Sequence, residues 1–109
     1  MKNFIQPGGT LTLTAPYAVT SGQGALVGAI FGVAVKDTAN AVAGEFVTEG
    51  VFSLTKATGA AWTVGALLYW DNTNRNVTPT SSGNTKIGVA TAAADSAATI
   101  GNVRLNGAW

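Results

Sequence analysis

The sequence predicts an all-β fold, a small single-domain β-barrel or sandwich of short strands with at most one or two short helical turns. Three observations carry this reading. Turn signals built from Gly, Pro, Asn and Asp recur about every 8–12 residues between short apolar stretches. The segments "TLTLT" (10–14) and "EFVTEGVFSLT" (45–55) alternate with the period of a half-buried strand. Charged residues make up only 10% of the 109-residue chain and apolar residues 47%. Disordered chains are instead highly charged and poor in β-branched residues.

The elements follow in order. "TLTLT" is the first strand, and "PYAVTSGQG" after it is a loop marked by Pro16, Gly22 and Gly24. The apolar run from Ala25 to Val35 exceeds the usual strand of about 5–6 residues. It contains Gly28 and Gly32, so it reads as two short strands or one strand bent at a glycine. "KDTANAVAG" (36–44) is a turn or loop. In 45–55 the alternation puts Phe46, Thr48, Phe52 and Leu54 toward the core, with Glu45, Val47, Glu49, Val51 and Ser53 opposite. A connection at 56–65, with one helical turn around Ala60 to Trp62, leads to a buried strand, "ALLYW" (66–70). "DNTNRN" (71–76) is a turn, because Asn and Asp bond their own backbone and tolerate positive φ. A short strand and loop in "VTPTSSGNT", a strand at 86–91, an Ala-rich loop or short helix, and a closing strand at 99–105 complete the chain. Residues 1–8 read as an N-terminal arm and 9–109 as the single domain.

One internal echo stands out. "FGVAVKD" (31–37) returns as "IGVATAAAD" (87–95), each with an apolar residue before Gly-Val-Ala and an Asp beyond. A repeated strand at matching places in a barrel would explain it, and so would chance in a chain rich in Gly, Val and Ala. The Gly-Val-Ala segments carry no group able to do chemistry, and Asp37 and Asp95 fall in the loops beyond them.

Composition removes several function classes. The net charge is +1 with no basic cluster, so the footprint needed to neutralise nucleic-acid phosphates is missing. Cysteine and histidine are absent, which removes disulfides, thiolate metal sites and the commonest general base. The longest apolar run, residues 24–35, is shorter than the ~20 residues of a membrane span. The start lacks the apolar run of about 7–15 residues of a signal peptide. The expectation is a protein made in a cytoplasm without an export signal, with no cofactor, no metal, no nucleic-acid or membrane partner and no enzymatic activity.

Candidate motifs have structural readings beside them. "SLTK", Ser53 to Lys56, matches S-x-x-K, but that chemistry needs Ser at a helix start and companion motifs that are missing here. Glu45 and Glu49 would lie about 13 Å apart on one strand at roughly 3.3 Å per residue. Glycosidase carboxylates lie roughly 5–9.5 Å apart. Gly24, Gly28 and Gly32 would share one face of a strand and admit a close neighbour. "NVT" (76–78) matches a glycosylation acceptor without an export signal to support it. Trp62, Tyr69, Trp70 and Trp109 are candidates for a glycan-stacking platform, against the alternative that they fill a core or an interface. Trp109 sits at the chain end, where a contact with another chain is expected.

The ordered series "MKNFIQPG", "SGQGALVG", "FGVAV", "TEGVFSLTKATGAAW", "LYWD", "IGVA" and "VRLNG" resembles the small phage capsid cement (decoration) proteins, formerly classed as a domain of unknown function. The likeness runs nearly end to end, with Thr55 standing where a Pro is expected in an "LPKA" pattern. The resemblance implies a compact β-rich fold, no catalysis and a virion location on the outer capsid surface. It also implies the major capsid protein as partner and a homotrimer as the assembled form. On that reading Met1, Lys2, Asn3, Phe4, Ile5, Gln6 and Trp109 are the expected capsid or subunit interface. Pro7 keeps Gln6 out of helix, and Phe4 and Ile5 offer apolar anchors on an extended arm.

Overall fold

The computed structural model describes residues 9–106. The expected interface residues Met1 to Gln6 and Trp109 lie outside the described residues. Nine strands and no helix are present among those described: β1 (Thr10–Thr14), β2 (Gly24–Val27), β3 (Ile30–Ala34), β4 (Ala43–Val47), β5 (Glu49–Thr55), β6 (Leu67–Asp71), β7 (Asn76–Thr78), β8 (Thr85–Ala90) and β9 (Ile100–Asn106). The all-β prediction holds. The apolar run splits into β2 and β3 around a two-residue turn, where Gly28 has φ +60°. Positive φ at the first turn position matches the twist of an antiparallel hairpin.

The strands form two antiparallel sheets, ordered β1-β4-β3-β2 and β5-β9-β8-β6-β7. The second sheet curls. Its last strand, β7, pairs with β6 on one side and on the other meets the chain just beyond β5 through a Lys56–Val77 bridge and an Ala57 N–H donated to the Val77 carbonyl at 2.8 Å.

The two orders are the same arrangement repeated. β1, β4, β3 and β2 correspond to β5, β9, β8 and β6, and β7 is an addition to the second unit. The hydrogen bonds correspond as well. Val19 and Thr38 exchange a pair of backbone bonds, and so do Trp62 and Ala94. Ala34 N–H reaches Gln23 C=O, and Ala90 N–H reaches Ala66 C=O. Ala15 N–H reaches Val42 C=O, and Lys56 N–H reaches Thr99 C=O. Gly22 and Gly65 hold the same turn position with φ +87° and +86°.

This arrangement settles the echo. Gly32 stands opposite Ala25, and Gly88 stands opposite Leu68, the equivalent place in the second unit. A Cβ on Gly32 would lie 2.8 Å from Phe46 Cβ and 3.4 Å from the Val47 carbonyl oxygen. A Cβ on Gly88 would overlap the carbonyl oxygen of Arg104, the residue equivalent to Val47. Both stretches are therefore the same strand, kept free of side chain where the neighbouring backbone comes close.

Each unit packs a core from corresponding positions. In the first it is Ala15, Val19, Ala25, Ala34 and Phe46, with Leu13 and Tyr17 against it. In the second, Trp62, Leu68, Ala90, Val103 and Leu54 take the places of Val19, Ala25, Ala34, Phe46 and Leu13. The large side chain moves from Phe46 in one unit to Trp62 in the other, and Val103 shrinks where Trp62 grows. Equivalent places are therefore filled by different side chains, Ala25 by Leu68 among them, and the second unit's core is the larger. Phe31 and Val33 of β3 join the second unit's cluster, and Phe31 meets Trp70 at a ring separation of 4.8 Å. The sheets share one interior by this contact.

Several expectations are corrected. The alternating segment 45–55 is two strands in different sheets, broken at Thr48, although its inward positions Phe46, Thr48 and Leu54 are buried as expected. Phe52 is only partly buried. "ALLYW" alternates, since Leu68 and Trp70 are buried while Leu67 is 50% exposed. No helical turn forms at Ala60 to Trp62, because Trp62 is drawn into its bridge with Ala94. Gly24, Gly28 and Gly32 do not share a face, because Gly28 is in the turn between β2 and β3.

Gly88→Ala should destabilise more than Gly22→Ala, which meets open space but must hold φ +87°. A strained left-handed residue costs about 1–2 kcal/mol, and forcing atoms into a filled site costs about 1–3 kcal/mol or more. Thermal unfolding followed by circular dichroism should show both midpoints lowered, with Gly88→Ala the lower. Equal midpoints, or an unchanged Gly88→Ala, would contradict the close approach.

Candidate functional site

The side chains proposed for chemistry are not brought together. Ser53 is exposed on β5, while Lys56 is buried and donates from Nζ to the carbonyls of Ala57 (2.9 Å) and Ala60 (2.5 Å). Lys56 also lies over the Trp62 ring, 5.2 Å from its centroid. It holds the 56–62 connection in place at the position where the first unit has Ala15. Glu45 on β4 accepts a hydrogen bond from the Thr12 hydroxyl at 2.8 Å, and Glu49 belongs to the other sheet. No group of three or more acidic, His or Cys side chains able to hold a metal occurs among the described residues.

The aromatic platform is also dispersed. Trp62 and Trp70 are core residues, 4% and 3% exposed. Their indole N–H groups donate to the Ala92 carbonyl (3.1 Å) and to Asn72 Oδ1 (3.0 Å), which satisfies the polar edge of each buried ring. Tyr69 is half-buried on β6, and Trp109 lies outside the described residues. The interior therefore uses the two indoles for packing, and neither offers an open face for a sugar.

What remains exposed is surface for contact. Register places Val51, Arg104, Val89 and Leu67 in one row across four strands of the second sheet. Val51 and Leu67 are 58% and 50% exposed, so the row is apolar at both ends with one cation between. Sequence reading put Val51 on the outside but missed Leu67, whose exposure follows from Leu68 and Trp70 pointing inward.

The units also meet at a cavity of about 190 Å³, lined on one side by Tyr17, Gln23 and Gly24 and on the other by Leu54, Trp70 and Arg75. Arg75 stacks over the Tyr17 ring at 3.6 Å, a cation–π contact, and the Tyr17 hydroxyl donates to the Gly24 carbonyl at 2.9 Å. Burial raises the Tyr17 pKa above that of a free phenol, and the Arg75 charge offsets part of the rise. Arg75 itself has φ +55°, set by the turn after β6. There, Asp71 accepts from the backbone N–H groups of Thr73 (3.0 Å) and Asn74 (3.1 Å) and from the Asn74 side chain (2.8 Å). These bonds, led by those from Asn74, hold the Asp71 carboxyl below its usual pKa. The geometry can bind and position.

Because the Asp71 pKa is lowered on folding, its stabilisation is complete above the ordinary carboxylate pKa of 3.8 and is lost as pH falls below it. The Asp71→Asn protein should therefore melt below the parent at pH 6, with the two midpoints converging toward pH 2. Parallel curves across that range would contradict the assignment.

The profile of a family described as phage cement protein matches residues 5–105, a span that includes both four-stranded units and β7. No match was found among curated proteins or among solved structures.

Proposed function

The chain belongs to the phage cement protein family, and from that premise we propose that it binds the outside of the mature phage head and ties neighbouring major capsid protein subunits together. The family is a structural one associated with the phage capsid, and the match over residues 5–105 is the observation that carries the reading. The chemistry of the chain is consistent with it. A surface with few charges has little to desolvate on association. A small domain can be repeated many times over a lattice.

The working form in this reading is a homotrimer made in the host cytoplasm and added to the head from outside. One contact between so small a domain and the capsid is weak. A trimer that touches several subunits at once gains by effective concentration, about 10²–10⁴-fold over a single contact. The arm of residues 1–8 is the first candidate for the capsid contact, with Phe4 and Ile5 as apolar anchors and Trp109 at the other chain end.

Purified protein mixed with expanded heads should sediment with them saturably and in fixed stoichiometry. A variant lacking residues 1–6 should show the same circular dichroism and unfolding midpoint but bind at least tenfold more weakly. Undiminished binding by the truncated protein would remove the arm from the account. Failure of the parent to bind heads would remove the function.

A further inference from the structure

The internal repeat shows where the first unit lacks a strand. In the second unit, the edge of β6 is covered by β7, with Tyr69 opposite Thr78 and Trp70 opposite Val77. The equivalent edge in the first unit is β2, and among the described residues no strand covers it. Alternation of hydrogen-bonded pairs across β2 and β3 follows from the Ala34 N–H bond to Gln23 C=O. It directs the N–H and C=O groups of Gly24 and Leu26 away from β3. Tyr17 caps the Gly24 carbonyl. Among the described residues, the groups of Leu26, the residue equivalent to Tyr69, have no partner at the stretch where β7 sits in the other unit.

The opposite edge of the same sheet is β1. The bonds Thr48 N–H to Gly9 C=O and Ala15 N–H to Val42 C=O fix its phase. They direct the backbone groups of Thr10, Thr12 and Thr14 outward. Neither β1 nor β2 contains a charge or a proline, the devices that usually protect a sheet edge. Within β1, Thr10-Leu11-Thr12 repeats the polar–apolar–polar order of Asn76-Val77-Thr78 in β7, which sets Thr12 opposite Leu26. The charges flanking the two edges are opposite in sign: Glu45 beside β1, and Arg75, which forms no ion pair among the described residues, beside β2.

We propose that copies of this chain join head to tail, β1 of one adding antiparallel to β2 of the next at the place that β7 holds on β6. The contact is heterologous, so it makes a ring when the rotation between copies closes. The ring rests on the homo-oligomeric part of the function proposed above but not on capsid binding. If the protein assembles through another surface and still decorates heads, only this interface fails.

The absence of cysteine allows a direct test with full-length protein. Strands paired edge to edge bring Cα atoms to about 4.5–5.5 Å, within disulfide range. An oxidised mixture of Thr12→Cys and Leu26→Cys proteins should give a mixed covalent dimer, and the double variant should give closed multimers on non-reducing gels. Thr12→Pro, which removes an outward N–H and leaves the bonds to β4, should keep the fold and raise the concentration for half-dissociation at least tenfold in sedimentation. Cross-linking within either single variant alone would mean that like edges pair and would overturn the proposal. Absence of mixed cross-links would overturn it equally.

Discussion

The fold depends on two places where a strand must approach its neighbour with no Cβ between them. At Gly88 the opposing atom is the Arg104 carbonyl oxygen, and at Gly32 it is the Phe46 side chain backed by the Val47 carbonyl. Gly44 and Gly101 extend the same constraint. A Cβ there would strike Thr38 in one unit and Trp62 in the other. Each unit is thus compact at its centre because small residues let a connection fold back onto the sheet, the one after β3 in the first unit and the one between β5 and β6 in the second. The paired bonds Val19–Thr38 and Trp62–Ala94 fasten that connection in both.

Strand content was legible in the sequence because alternation reports which face is wet. The phase of 45–55 was right for Phe46, Thr48 and Leu54, but alternation cannot show that a strand leaves one sheet and enters another at Thr48. A chain that changes sheets without changing which side is buried keeps its period. The "ALLYW" segment was read as buried throughout because Leu67 is apolar, yet its partner Val89 is also half-exposed on the same outer row. The repeat was visible only through Gly-Val-Ala. Backbone clearance fixes the residue type there, whereas Val19 and Trp62, or Phe46 and Val103, fill equivalent space with different side chains. A core can be filled by different sets of apolar side chains, so the second unit's relation to the first had to come from its hydrogen bonds.

The candidate site was less legible than the fold. The tryptophans drew attention as binding groups, but Trp62 and Trp70 are enclosed with their N–H groups satisfied. The surfaces left to make contacts are backbone edges and an apolar row, and neither has a sequence signature. An open edge is a property of topology, seen only when the strand order is known. The comparison between the two units sharpens it further, because β7 shows what an added strand does in this fold.

The phage cement family is a structural one, and a chain with only 10% charged residues has little to desolvate when it meets a partner. The most direct measurement of this account is a near-atomic reconstruction of heads incubated with the protein. The account predicts ordered density on the outer surface of the expanded shell, bridging neighbouring capsid subunits. Saturated mixtures with a bare outer surface would contradict it.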